Sequence, residues 1–166
     1  MSIFRAACLT TGTPNVNRIY FSYRVLTLFF LLFIGIYDYR HHLIKNAALM
    51  LLFLWCLLQV PVLTLTGASS SLLSMLLQGI LGAGLGFSLF LIISMATNGS
   101  IGGGDIKLIA ILGFYYQADG LFVIVLISCA LALSKSLLSL ILHKNKHSSI
   151  PFAPYLFLGC LFNDLF

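Results

Sequence analysis

Long apolar runs, each closed by a short polar or glycine-rich break, occupy almost all of this 166-residue chain from about Tyr20 onward. An apolar run of roughly 20 residues, coiled as a helix, matches the hydrocarbon thickness of a bilayer. Several such runs in succession cannot all be buried in one another, so lipid is the expected solvent. Composition agrees: 60% of the residues are hydrophobic and 8% charged, with a mean hydropathy of +1.07, outside the range of a water-soluble globular domain. The expected fold class is an all-α membrane protein, a polytopic bundle of about six transmembrane helices, because a spanning segment must satisfy its own backbone hydrogen bonds.

The segments divide as follows. Residues 1–19 are polar and basic, contain Pro14, and read as an irregular N-terminal tail; residues 20–166 form a single membrane domain. A first span is expected over Tyr20–Tyr37, ending at the polar cluster Asp38-Tyr39-Arg40-His41-His42. A second covers Ala47–Leu65, with Pro61 near its far end, and a third Leu72–Met95. Gly79, Gly82, Gly84 and Gly86 in the third would let a neighbouring helix approach closely. The loop 96–104 is rich in glycine and asparagine and breaks the chain before a fourth, short segment from Asp105 to Tyr116. Asp119-Gly120 is expected to turn the chain into a fifth segment over Leu121–Leu142. A sixth starts near Ile150-Pro151-Phe152-Ala153-Pro154.

The formal net charge of +5 suits contact with anionic lipid headgroups, and nucleic acid is not an expected partner. Sorting the connections into alternating sets puts Arg40, Lys45, Lys107, Lys144 and Lys146 on one side, which the positive-inside rule assigns to the cytoplasm. Arg5, Arg18 and Arg24 then fall on the disfavoured side, with Arg24 able to snorkel to the interface. Lys135, inside the fifth segment, is expected to snorkel too, the alternative being a pairing within the bundle. Cys8, Cys56, Cys129 and Cys160 stand singly, without metal-site or disulfide spacing, and read as packing residues. His143 and His147 have helical spacing but no third ligand nearby, so no metal is expected. Tyr37, Tyr39, Tyr115, Tyr116 and Trp55 read as interface or packing aromatics.

Function is expected where the acids fall, because a carboxylate near lipid is costly and is retained where it is paired or useful. The chain has four aspartates and no glutamate. Asp119 and Asp164 read as solvated turn and terminal residues. Asp38 closes the first segment and Asp105 opens the fourth, so the topology brings both to the same face. Two carboxylates placed together tend to share one proton near neutrality. That is the state in which one carboxylate draws a proton from an attacking water while the other donates to a scissile carbonyl oxygen. Gly102-Gly103-Gly104-Asp105 adds a glycine-rich helix start against which a substrate strand can lie, with Lys107 two residues on. The plainer alternative makes Asp105 a helix N-cap and Asp38 an interfacial partner of Arg40.

Three separated stretches resemble the type IV prepilin peptidases, the G-x-G-D membrane aspartyl proteases. Asp38-Tyr39-Arg40 with Ile44-Lys45-Asn46 is similar to that family's first aspartate motif. Gly102-Gly103-Gly104-Asp105-Ile106-Lys107-Leu108 resembles the second, and Ile150-Pro151-Phe152-Ala153-Pro154 the P-F-G-P stretch that opens the last span. Lys45 stands where the family usually has proline, and Ala153 where it usually has glycine. The resemblance implies an aspartic endopeptidase with Asp38 and Asp105 catalytic and with Gly102, Gly103, Gly104, Lys107, Arg40, Asn46, Pro151 and Pro154 supporting the site. It implies no metal or organic cofactor. The implied substrate is a prepilin or pseudopilin whose short basic leader is removed at the cytoplasmic face of a prokaryotic inner membrane. The long cysteine-containing insertion of larger members is missing, so the short, peptidase-only type of Tad or Flp pilus systems and preflagellin peptidases is implied, without methyltransferase activity.

Two other classes stay open at the level of residues. A small ion-coupled transporter would use membrane aspartates near the midplane, often with an internal repeat. A non-catalytic membrane subunit would use them only to cap helices. Substrate identity and oligomeric state have no signature in the chain.

Overall fold

The computed structural model describes residues 14–41, 44–65, 72–96, 102–141 and 152–165, and these form five helices. They are α1 (Pro14–His41), α2 (Asn46–Leu65), α3 (Leu72–Ala96), α4 (Gly103–Ile141) and α5 (Ala153–Leu165). No strand occurs among the described residues, so the all-α membrane class holds. Three helical stretches are long and apolar enough to cross a membrane: Phe21–His41, Leu73–Ala96 and Gly103–Leu138; Asn46–Pro61 is a shorter apolar helix.

Two boundaries differ from expectation. The first helix begins at Pro14, so part of the expected irregular tail is helical. Proline suits a first helical position, since its fixed φ is already helical and its missing N–H would have had no intrahelical acceptor. The fourth and fifth segments are two helical limbs of α4, 103–116 and 118–141, parted as expected but at Gln117, with φ 59° and ψ −178°, and not at Asp119-Gly120. Asp119 and Gly120 themselves are helical. The sharp turn expected of an Asp-Gly pair is replaced by a single non-helical residue two positions earlier.

The bundle is centred on α4. Its most extensive partner is α3, and α5 lies against both α4 and α1. Glycine makes the α3–α4 crossing possible: a Cβ on Gly82 would strike the carbonyl oxygen of Gly113, and one on Gly113 would strike Gly82 in return. Every helix contributes to the core, with Leu31 and Ile34 from α1, Leu52 from α2, Phe90 from α3, Leu108 and Leu112 from α4, and Leu156 from α5. Outside this core, large apolar side chains such as Phe21, Phe33, Leu81, Ile92 and Phe122 are exposed, as lipid-facing surfaces require.

Candidate active site

Three chain segments far apart in sequence meet at one end of the bundle. Asp38 lies in the last turn of α1 and is 5% exposed. Its Oδ2 accepts a hydrogen bond from the backbone N–H of Ala153, at the start of α5, at 3.3 Å. Asp105 belongs to the first turn of α4 and lies close enough to Asp38 for the two carboxylates to act on each other electrostatically.

The glycine-rich stretch is what lets α4 start here. The N–H groups of Asp105 and Ile106 donate to the carbonyl oxygen of Gly102 at 3.0 and 3.4 Å. Gly102 is therefore the capping position and Asp105 the third helical residue, which replaces the expectation of Asp105 as an N-cap. Asp105 spends no oxygen on its own helix end in that role, and its buried Oδ1 accepts no hydrogen bond among the described residues. A Cβ on Gly102 would come within 3.4 Å of Asp105 Oδ2. Gly104 faces the segment just before α2: a Cβ there would be 2.9 Å from the Ile44 Cβ. That close approach brings the segment after Asp38 against the segment before Asp105. Gly103 is open, with nothing within 4 Å of where its Cβ would be.

The remaining expected site residues fall around this pair. Lys107 donates from Nζ to Asn46 Oδ1 at 3.2 Å, tying the first turn of α4 to that of α2. Pro154 backs onto α1, its Cα 3.4 Å from where a Cβ on Gly35 would be. Arg40 is exposed at the rim. Pro151, His42, His143, Lys144, Lys146 and His147 lie outside the described residues. Lys45, which replaces the usual proline, places its ammonium 5.0 Å from the Tyr37 ring centroid. Lys135 reaches the same end of the bundle, 5.9 Å from the ring of Tyr39 and 5.7 Å from that of Tyr155, so it binds two aromatic faces beyond simply snorkelling.

The other two acids divide. Asp119 is exposed, as expected. Asp164 is not solvated: its side chain is 7% exposed, and Arg24 Nη1 lies 3.9 Å from its Oδ1. The Tyr116 hydroxyl donates to its Oδ2 at 2.8 Å. A carboxylate among apolar helices needs such partners, so α1, α4 and α5 converge on it. Arg24 and Asp38 are 14 residues apart on α1, or about 21 Å at helical rise, so this cluster is remote from the pair Asp38–Asp105. Cys56 and Cys160 are buried, unlinked packing residues. Among the described residues no group of three or more His, Cys, Asp or Glu side chains could hold a metal ion.

Residues 25–137, which include both Asp38 and Asp105, match the type IV leader peptidase family. The chain belongs to that family. It is 35% identical, over 92 residues, to a prepilin leader peptidase/N-methyltransferase of Bacillus subtilis (strain 168); the aligned part is 53% of this chain and 36% of that protein. The chain thus spans little more than a third of that relative's length. No solved structure matches it.

The family match covers the ends of α1 and the start of α4 but stops before α5. The Ala153 amide, which contacts Asp38 directly, lies beyond it. Backbone groups of this kind leave no mark in a residue pattern, although the P-F-A-P stretch pointed to the right segment.

Proposed function

We propose that this chain is an aspartic endopeptidase that removes the short basic leader from type IV prepilins or prepilin-like proteins, with Asp38 and Asp105 as its catalytic carboxylates. The observation that carries this reading is the convergence of the two aspartates, from the end of α1 and the first turn of α4, at one end of the bundle. In the working state the pair holds one proton. The ionised member takes a proton from the attacking water, and the protonated member donates to the oxygen of the scissile carbonyl, so that no metal or organic cofactor enters the reaction. Gly102 and the open face of Gly103 leave room for an extended substrate backbone beside Asp105.

The position of the pair supports this substrate class. A leader that stays in water and a hydrophobic helix that stays among the spans present their junction at a helix-end depth. The active site faces the cytoplasm of a prokaryote, the side on which Arg40, Lys45 and Lys107 are clustered. The transport reading needs acids at the midplane of the bundle, whereas both acids here are at helix ends.

The test is cleavage of a prepilin-like protein by the Asp38→Ala and Asp105→Ala variants, read by product mass with the membrane level of each variant measured in parallel. Each substitution is expected to abolish leader removal at a normal protein level. Retained cleavage by either one excludes the pair as the catalytic centre.

A further inference from the structure

We propose that the backbone N–H of Ala153 is a positioning group for the reaction, holding Asp38 at its working angle and making the N-terminus of α5 the third element of the site. This rests on the reading of Asp38 as catalytic. The first turn of α5 is capped at Phe152, whose carbonyl oxygen accepts from Tyr155 N and Leu156 N at 3.0 and 3.2 Å. Ala153 is then the first helical residue, and its N–H is one of those a helix cannot satisfy internally. Pro154, next along, has no N–H to offer. Ala153 is 2% exposed, so its donor is shut off from solvent and requires an acceptor within the protein. Asp38 Oδ2, itself buried, is that acceptor.

The seat of α5 is rigid enough for such a bond to fix a geometry. Gly35, one turn before Asp38 on α1, allows Pro154 to lie directly against the helix. On the other flank the Ser128 hydroxyl is shared between the Ile124 carbonyl of its own helix at 2.7 Å and the Tyr155 carbonyl at 3.0 Å, which brings the start of α5 against α4. The helix that presents the donor is thereby held against α1, which carries Asp38, and against the second limb of α4. A hydrogen bond from a fixed amide restrains the side-chain torsions of Asp38 and so the orientation of its carboxylate toward Asp105.

The experiment changes the donor and little else. Incorporating lactate at position 153 replaces the N–H with an ester oxygen; Ala153→Pro removes the N–H, and Ala153→Gly keeps it. Cleavage of a synthetic peptide with a basic leader, a glycine and an apolar helix is measured in detergent, with thermal stability recorded for each variant. Loss of a hydrogen bond to a charged group predicts a kcat about 10- to 100-fold lower for the ester and proline variants, with KM little changed. Ala153→Gly is expected to retain most of the rate. If Ala153→Pro does not accumulate, the ester variant decides. A folded ester variant with parental kcat overturns the proposal, as does an Ala153→Gly variant as slow as the ester, since side-chain packing would then be the cause. Asp38→Asn, assayed alongside, separates the two levels: an inactive Asp38→Asn with an unimpaired ester variant removes only the role of Ala153, whereas an active Asp38→Asn removes the catalytic pair itself.

Discussion

The Tyr116 hydroxyl and the Asp164 carboxylate form a 2.8 Å bond in apolar surroundings. Removing the donor leaves a buried acceptor unsatisfied, so Tyr116→Phe is expected to cost about 1–3 kcal/mol of stability, read as a lower melting temperature in detergent. Cleavage by the folded fraction should persist, because the cluster is far from Asp38. Gln117 gives the opposite sign. Its φ of 59° with extended ψ is a conformation that glycine adopts readily and a residue with a Cβ does not. Gln117→Gly is expected to stabilise the protein by on the order of 1 kcal/mol, after the added freedom of the unfolded chain is subtracted. A drop in melting temperature would show that the Gln117 side chain makes compensating contacts. Asp164 and Gln117 also mark where single residues resist being read from sequence. The partners of Asp164, Tyr116 and Arg24, are distant along the chain, so its polarity after an apolar run resembled a solvated end. The break at a glutamine had no local signal, while the Asp-Gly pair nearby carried a strong one.

Among the helices, the α3–α4 crossing is the tightest, with Gly82 and Gly113 backbone to backbone. A side chain at either position must force the helices apart. Gly82→Leu is expected to destabilise by about 1–3 kcal/mol or more, measured by thermal unfolding; Gly84→Leu, with nothing within 4 Å, should be close to neutral and serves as the internal control. The glycines of α3 announced a close neighbour, but not which helix it would be. Periodicity gave α2 and α3 to within a residue or so, since both are long, apolar and closed by polar breaks. The position of the break in α4, at Gln117 and not at Asp119-Gly120, was hidden because helix termini are decided by tertiary packing as much as by local preference. Asp38, Asp105 and the glycines before Asp105 were legible for a different reason: charge and conformational freedom are conspicuous within apolar helices. The Lys107–Asn46 bond and the Gly104–Ile44 contact needed the assembled structure.

For the molecule as a whole, orientation in the membrane is the property to test. In a variant with Cys8, Cys56, Cys129 and Cys160 replaced by serine or alanine, a single cysteine at Arg40, at the end of α1 beside the start of α4, and one at Asp119, just past the break at Gln117, bracket the first limb of α4. A membrane-impermeant thiol reagent applied to intact cells is expected to label Asp119→Cys, and to label Arg40→Cys only in inverted vesicles. Labelling of both from one side would mean that the limb 103–116 does not traverse the bilayer.

The placement of the two aspartates at helix termini also bears on how the proposed hydrolase would operate in an energised membrane. A carboxylate pair at the middle of the bundle would need an aqueous shaft to deliver its reactant, and such a shaft conducts protons. Here Leu31, Leu52, Leu108, Leu112 and Leu156 are buried in the apolar core, and a pair at helix ends can draw its water from bulk solvent at one face. The proton-motive force is then insulated from the chemistry performed beside it.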